Sequence, residues 1–367
     1  MKILYFCNAI DKAGGLDRII IEKANYLSKD NEVFIVTTNQ KNKKYFYSLS
    51  NNIKHIDFSD YRCSNLLFSK KCFNKIIDEI KPDIIIVATA KESVFLPFLN
   101  RNIPKIKEIH FSKNHRRIQN KNSNFLKKIF IYIADYLEYF VAKMYDKLVV
   151  LTYEDAKNWN LNNTKVIYNF KTITSSKTSS LDNKNIIAVG RLDYQKGFDL
   201  LLKAWAIVKK NNKLDWKLNI YGEGKLETEL KELAKKLNID KSVIFHGNVK
   251  DIKSKYLNSS IYILSSRHEG LPLVLPEAME CGLPIVSFKT PCGPKDIITD
   301  NKHGYLVENY DISMLAKKIL ILINNSSLRE QMGKEAKERA KDFDKDKIMQ
   351  EWIELFKETI KSRKGNM

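Results

Sequence analysis

The chain has 367 residues, of which 44% are hydrophobic and 29% are charged, and its formal net charge is +20. This length exceeds one ordinary core and fits two domains, while the longest apolar runs are far shorter than the ~20 residues of a membrane span. The five cysteines form no CxxC pair, so we expect neither a disulfide framework nor a zinc site. This pattern places the chain in a reducing cytoplasm. The apolar N-terminus is expected to form a strand rather than a signal peptide.

The first half of the chain alternates short β-rich runs with segments of helical periodicity. Strands are predicted at 3–8, 33–38, 53–58, 83–89, 105–111 and 147–152, and helices at about 16–27, 62–80 and 123–146. Apolar strands that alternate with helices are typical of a parallel sheet covered on both faces.

A polar segment rich in Ser and Thr, residues 171–184, is the predicted linker. After it the alternation restarts, with strands predicted at 185–190, 217–222, 243–247, 261–266 and 283–288. The sequence therefore predicts an α/β fold of two doubly wound parallel-sheet domains that face a cleft. Ligands of such sheets bind at the carboxyl ends of the strands.

Two loops that follow strands of the second half carry charge or glycine. In GRLDYQKG, 190–197, Arg191 and Lys196 are five positions apart, and two cations at a strand end are suited to a pyrophosphate. The alternative is a solvated surface loop. In YGEGKLE, 221–227, Gly222 and Gly224 supply only half of a dinucleotide fingerprint, and we interpret them as an ordinary strand-to-helix turn.

A third loop places one acid in polar sequence and another in an apolar helix. Glu269 lies in the loop, Gly270 and Leu271 follow it, and Glu277 comes eight positions after Glu269, on the first turns of a helix predicted to begin near 272–273. Carboxylates accept hydrogen bonds from hydroxyls, so two acids at this spacing suit a polyol ligand that carries a phosphate. For Glu277 alone, an acid favoured by the helix dipole is the alternative.

The combination of motifs resembles one enzyme family. GRL…QKG is followed by HEGLPLVLPEA at 268–278 and PCGPKDII at 291–298, and GG..R lies near the N-terminus. The whole chain thus resembles the retaining GT-B glycosyltransferases of family four, in the branch that builds bacterial capsule, exopolysaccharide and lipid-linked oligosaccharides. The resemblance implies two Rossmann-like domains, an acceptor domain at 1–170, joined by a C-terminal helix at about 345–367, and a nucleotide-sugar domain at 185–344.

The resemblance also implies roles for individual residues of the second domain. Arg191 and Lys196 match the positions that bind the donor pyrophosphate and stabilise it as it leaves. Glu277 matches the acid that binds the ribose hydroxyls, and Glu269 the acid beside the donor sugar. Gly270 and Leu271 match the backbone around that sugar.

In the first domain the resemblance implies three further positions. Gly14 and Gly15 match a glycine-rich loop that faces the donor phosphates and the acceptor. His110 falls where related chains carry an active-site histidine, although here Ile109 precedes it and Glu108 lies one position earlier. The implied reaction transfers a hexose or N-acetylhexosamine, Gal or GalNAc first, from a UDP-sugar to a polyprenyl-diphosphate-linked glycan, with retention, without a protein nucleophile and without a cofactor or metal.

Three alternatives accompany this prediction. A sugar-nucleotide epimerase shares the fold, but the glutamate pair with GRL…QKG favours the transferase. A metal-dependent transferase needs a DxD motif, and DFDKD at 342–346 is interpreted instead as a helix start between two charged helices. A basic nucleic-acid-binding protein fits the charge of +20, yet no nucleic-acid module is visible.

Basic sequence in the first domain predicts a contact with membranes. Residues 111–128 hold six Lys or Arg and no acid, and a second basic region contains Arg62, Lys70, Lys71 and Lys75 beside apolar Leu66, Leu67 and Phe68. We expect the first domain to dock on the anionic inner face of the plasma membrane, with Phe125 among the inserted aromatics. The alternative is a merely solvated Lys-rich surface.

Overall fold

The structure is a computed structural model that describes residues 1–12, 14–41, 43–58, 66–88, 91–120, 123–211 and 215–365, except for the side chains of residues 66–69, 91 and 92. The chain divides into two compact units. Unit 1 comprises Met1–Asn169 and Asp346–Met367, and unit 2 comprises Phe170–Lys345. The segment 171–184, which we expected as a linker, therefore falls within unit 2.

Unit 1 is built on a parallel sheet that, in the described part of the chain, has seven strands in the order β3-β2-β1-β4-β5-β6-β7. The strands are β1 (Lys2–Cys7), β2 (Glu32–Thr37), β3 (Ile53–Asp57), β4 (Ile84–Val87), β5 (Lys105–Glu108), β6 (Lys147–Val150) and β7 (Thr164–Val166). The helices are α1 (Gly15–Leu27), α2 (Leu66–Ile80), α3 (His115–Gln119), α4 (Phe125–Ala142), α5 (Tyr153–Trp159) and α13 (Lys345–Gly365).

Both faces of this sheet are covered by helices. Leu4 and Phe6 of β1 belong to a core that includes Phe73 and Ile77 of α2, and the Phe6 and Phe73 rings meet edge to face at 5.0 Å. Tyr5, which alternation turns to the opposite face, is also completely buried. Apolar side chains on successive residues of β1 are therefore explained by burial on both sides.

Unit 2 repeats the same plan with a sheet that has six strands among the described residues, in the order β10-β9-β8-β11-β12-β13, all parallel. The strands are β8 (Asn185–Val189), β9 (Lys217–Tyr221), β10 (Val243–Phe245), β11 (Ile261–Leu264), β12 (Ile285–Lys289) and β13 (Gly304–Glu308). The helices are α6 (Phe198–Asn211), α7 (Glu227–Lys236), α8 (Ile252–Leu257), α9 (Val274–Glu280), α10 (Pro294–Ile297), α11 (Ile312–Asn324) and α12 (Ser326–Ala340).

These two sheets confirm the predicted α/β class with two doubly wound parallel sheets. In both, the strand order reverses beside the first strand of the unit, β1 or β8, which is where loops at the carboxyl ends of strands form a binding site. Strands β7 and β13 were not predicted. Among the described residues, no helix is both long enough and apolar enough to cross a membrane.

Candidate functional site

The loop after β8 is shaped by a cap and a glycine. Asp193 accepts a hydrogen bond from the backbone N–H of Lys196 at 3.2 Å and so holds the turn Tyr194–Lys196. Gly197 follows with φ of +63°, and a Cβ built there would lie 2.2 Å from the carbonyl oxygen of Ser265. Only glycine therefore lets this loop approach the end of β11 so closely.

Several hydrogen bonds to backbone carbonyls join this loop to the segment after β11. The N–H of Arg267 donates to the carbonyl of Gln195 at 2.7 Å, and the Ser265 hydroxyl donates to the carbonyl of Lys196 at 3.0 Å. The Gln195 amide donates to the carbonyl of His268 at 3.1 Å. Two motifs that are about seventy positions apart in sequence thus form one bonded surface at the carboxyl ends of adjacent strands.

A nearly buried ion pair lies at the centre of this surface. Lys196 Nζ is 2.7 Å from Glu269 Oε1, and the two side chains are 16% and 6% exposed. Arg191 is 70% exposed and bonds only loosely, to Asp193 at 3.1 Å and to Gln195 at 3.2 Å. An ammonium has three donor hydrogens, so Lys196 keeps Glu269 as a partner and still has donors for an anion, with the Arg191 guanidinium beside it.

The Arg267 side chain fixes the turn from which Lys196 projects. Its two terminal nitrogens bind the Asp199 carboxylate at 2.9 and 2.7 Å, one also donates to the carbonyl of Tyr194, and the guanidinium lies 4.1 Å from the centre of the Tyr194 ring. Arg267 directly precedes the 268–278 motif in sequence and was not predicted to have a role. These contacts show that Arg267 stabilises the 190–197 loop.

Glu277 lies in the first turn of α9, as predicted, and is buried. Thr172 donates a hydrogen bond to Glu277 Oε1, and the Tyr256 hydroxyl donates to Oε2 at 3.4 Å. A carboxylate can accept several hydrogen bonds at once, so this group suits hydroxyl donors. Thr172 comes from the expected linker, which explains why that polar segment belongs to unit 2.

Tyr262 of the neighbouring strand lies within reach of the charges of both carboxylates. Tyr262 of β11 is fully buried, and burial, together with the charges of Glu269 and Glu277, raises the pKa of its phenol well above the ordinary value. Tyr262 therefore keeps its proton, and its hydroxyl donates to the carbonyl of Val189 at 3.4 Å. Leu271, which lies between those acids in sequence, is buried, and Gly270 presents its carbonyl to the backbone at Gly293.

The glycines of the loop at 221–227 serve close packing. A Cβ at Gly222 would lie 2.0 Å from the carbonyl oxygen of Gly190, and one at Gly224 would lie 2.4 Å from that of Leu192. The loop also bonds the 190–197 loop through Leu192 N–H and the Glu223 carbonyl at 2.9 Å. The glycines therefore support the loop that carries Arg191, which their sequence pattern did not indicate.

His110, Gly14 and Gly15 lie in unit 1. His110 Nε2 is 3.2 Å from Glu108 Oε1 without a hydrogen bond, and Glu108 is bonded by Lys23 at 2.6 Å. Burial would raise the pKa of Glu108, but the charges of Lys23 and His110 hold it at about 2. An anionic Glu108 therefore fixes the surroundings of His110.

Further contacts surround this buried carboxylate and the nearby helix start. The ammonium of Lys23 lies 3.3 Å from the centre of the Trp352 ring of α13, and Tyr5 has a buried hydroxyl without a hydrogen-bond partner. Gly14 precedes α1, which begins at Gly15, and a Cβ at Gly14 would meet open space. The predicted roles of His110, Gly14 and Gly15 stay predictions.

The DFDKD segment lies between α12 and α13, as predicted. Asp342 pairs with Arg339 at 2.7 Å, and Asp344 pairs with Lys171. Both carboxylates of the formal DxD pattern are thus bonded to cations in unit 2. Independence from metal stays a prediction.

The chain is similar over almost all of its length to bacterial enzymes. Residues 169–339 match the family described as Glycosyl transferases group 1. An uncharacterized glycosyltransferase of Haemophilus influenzae is 35% identical over 360 residues, which cover 96% of this chain and 98% of the relative.

A second relative, from Campylobacter jejuni, is 31% identical over 370 residues, covering 98% of this chain and 99% of the relative. It is a GalNAc-alpha-(1->4)-GalNAc-alpha-(1->3)-diNAcBac-PP-undecaprenol alpha-1,4-N-acetyl-D-galactosaminyltransferase. Among solved structures, a mutant of TarM from S. aureus in complex with fondaparinux, alpha-GlcNAc-glycerol and UDP superposes with a TM-score of 0.76 at 18% identity, covering 97% of this chain and 99% of that one. At this identity the likeness shows a shared fold.

Proposed function

Since the chain belongs to the group 1 glycosyl transferases and has the GT-B fold, we propose that it moves a hexose or N-acetylhexosamine from a UDP-sugar to a lipid-linked glycan in bacterial surface polysaccharide or oligosaccharide synthesis. The observation that carries this proposal is the pairing of Lys196 with Glu269, with Arg191 on the same bonded surface at the carboxyl ends of β8 and β11.

The cations of this surface bind the pyrophosphate of the donor. The departing diphosphate gains negative charge as the sugar leaves, and fixed cations in a site with little water stabilise that charge. Lys196 is already held by Glu269, and the Arg191 guanidinium is exposed. Lys196 therefore supplies a preorganised charge, and Arg191 closes on the phosphate oxygens when the donor binds.

The two acids divide the rest of the donor between them. Glu277 accepts the ribose hydroxyls through a buried carboxylate that Thr172 and Tyr256 orient. Glu269 lies beside the sugar, with the backbone of Gly270 and Leu271 around it. Transfer occurs with retention, without a protein nucleophile and without a metal, and His110, Gly14 and Gly15 contribute from the first unit.

The sugar and the acceptor are proposed from the relative in Campylobacter jejuni. Its name states transfer of N-acetylgalactosamine to a glycan on undecaprenyl diphosphate, and this supports GalNAc, or galactose, as the sugar to test first. It also supports a polyprenyl-diphosphate-linked acceptor, and with it a location at the inner face of the plasma membrane.

The test is release of UDP from a panel of UDP-galactose, UDP-GalNAc, UDP-glucose and UDP-GlcNAc, with and without a GalNAc-terminated polyprenyl diphosphate acceptor. We expect acceptor-dependent release that persists in EDTA, and an α-linked product by NMR. Interconversion of UDP-sugars without acceptor would establish an epimerase instead. Salt-sensitive binding to nucleic acid without any UDP binding would overturn the enzyme proposal.

A further inference from the structure

Helix α4 turns its charged side toward the protein and its apolar side toward solvent. A helix of a soluble protein normally buries its apolar stripe and exposes its charges. Here the buried side chains of α4 are Asp135, Val141 and Ala142. Most of the other apolar side chains of this helix are exposed.

The inward side is held by ion pairs. Arg116 of α3 contacts Asp135 at 3.3 Å and Glu138 at 2.5 Å, and Arg117 contacts Asp135 at 2.7 Å. Lys107 of β5 adds a contact with Glu138 at 3.4 Å. Burial would raise the pKa of Glu138, but Lys107 and Arg116 lower it below the ordinary value. These charges fix which side of α4 faces outward.

The outward side is a continuous apolar stripe. Its apolar residues recur at spacings of three and four, which places their side chains on one face of the helix. The exposed members are Phe125, Leu126, Ile129, Phe130, Tyr132, Ile133, Tyr136, Leu137 and Phe140. Contiguous apolar surface of this extent marks an interaction site, because isolated exposed apolar residues are common but a full stripe is not.

We propose that this stripe, which we call the α4 face, lies in the surface of an anionic bilayer. Exposed Lys127 and Lys128 stand at one end of the helix and exposed Lys143 at the other, and the chain carries +20, which complements anionic headgroups. Tyr132 and Tyr136 combine an apolar ring with a hydroxyl that suits the headgroup level. An apolar stripe, basic ends and tyrosines together fit a membrane surface.

The helix lies parallel to the bilayer. It has 18 residues and is about 27 Å long, but its charged side remains bonded to α3 and β5, so it inserts one side only. This geometry is that of an interfacial helix, whose apolar side enters the boundary between headgroups and acyl chains. The inference rests on the proposed function only for its biological purpose, because the binding itself requires no sugar.

The structure refines the basic surface that the sequence predicted. Arg116 and Arg117 are bonded to α4 itself, so neutralising them tests the packing of α4 rather than lipid binding. Phe125 is exposed on the α4 face, as expected. In the second basic region, Arg62 and the side chains of Leu66, Leu67 and Phe68 lie outside the described residues.

The test is sedimentation with vesicles of phosphatidylcholine that contain about one third phosphatidylglycerol, compared with phosphatidylcholine alone. The variant Leu126→Gln/Phe130→Gln/Leu137→Gln changes side chains that are 67%, 71% and 54% exposed, so the fold is retained. We expect its vesicle affinity to fall about 100-fold, equivalent to about 2.7 kcal/mol. The matched control Tyr153→Gln/Ile244→Gln/Met314→Gln changes exposed apolar residues elsewhere and should bind like wild type.

A second measurement reports insertion directly. The four natural tryptophans are all buried, so Phe130→Trp adds one exposed reporter. Its emission should shift to the blue on anionic vesicles and be quenched by brominated lipid. No blue shift, or equal binding by the triple variant, would overturn the proposal, as would concentration-dependent dimers that the triple variant abolishes, because the face would then bind a second copy.

Failure of this inference and failure of the proposed function are distinguishable. Activity on an acceptor dispersed in detergent should be unchanged by the triple variant if the α4 face serves only the membrane. If wild type is inactive on every donor but binds vesicles, the proposed function fails and the α4 face stands. If wild type is active but does not bind anionic vesicles, the proposal for the α4 face fails and the proposed function remains.

Discussion

Removal of the Lys196 ammonium separates the structural role of the central ion pair from its chemical role. In Lys196→Ala, Glu269 keeps a negative charge on a side chain that is only 6% exposed. At 2.7 Å and an effective dielectric constant of about 20, the lost attraction is about 6 kcal/mol before desolvation is counted. Removing one partner of a buried pair costs about 3–5 kcal/mol, and the partial exposure of Lys196 places this variant near 3 kcal/mol.

The same change should reduce kcat by about 100- to 1000-fold, because a lost donor to a developing anion costs about 2.7–4 kcal/mol. The double variant Lys196→Met/Glu269→Gln removes both charges, so most of the lost free energy of unfolding should return, while kcat should stay low. Urea unfolding measures the first effect and UDP release the second.

Two results would refute this reasoning. If Lys196→Ala retains kcat within about tenfold of wild type, the cation does not stabilise the departing pyrophosphate. If the double variant unfolds as easily as the single one, the charge of Glu269 is not what destabilises Lys196→Ala.

The other predictions concern neighbouring residues. By calorimetry, Glu277→Ala should weaken UDP binding by about tenfold or more, whereas Glu269→Ala should leave it nearly unchanged; equal losses would contradict the division between ribose and sugar. Gly197→Ala should lower the free energy of unfolding by more than about 2 kcal/mol, whereas Gly247→Ala, which has a similar φ but only a flexible side chain near the new Cβ, should cost about 1 kcal/mol. The pKa of Glu108 is lowered from 4.5 to about 2, so its stabilisation is complete above pH 4.5 and is lost as the pH falls toward 2. Glu108→Gln should therefore cost about 3 kcal/mol near pH 7 and clearly less near pH 3, and a constant difference would contradict the assigned pKa.

Local pattern was sufficient for most of the fold. Strands such as β1 and β11 are short apolar runs bounded by polar loops, and they lie where the sequence predicted. β7 has no buried residue, and the apolar run of β13 is limited to Tyr305, Leu306 and Val307, after a glycine with φ of +141°. Pairing with a neighbour defines both, and pairing is a property of the tertiary structure.

Some residues of the candidate site were likewise predictable from local sequence, and others were not. Arg191, Lys196 and Glu269 belong to compact motifs and were identified from the sequence. Thr172 and Tyr256 are ordinary residues about 105 and 21 positions from Glu277, and only folding shows that they bond it. The orientation of α4 is a similar case, because a helical period identifies an apolar face but does not say whether that face is covered.

The contact between Lys23 and Trp352 has a consequence for how the chain is made. Unit 1 contains residues that precede and residues that follow unit 2 in sequence, and the second contribution, Asp346–Met367, is synthesised after unit 2. Until it leaves the ribosome, the Lys23 ammonium lacks its aromatic cover, and Asp146 lacks its contact with Arg363 at 3.0 Å. Of the two units, the first to begin translation is therefore the last to be completed, and a chain that terminates soon after Lys345 has a whole unit 2 and an incomplete unit 1.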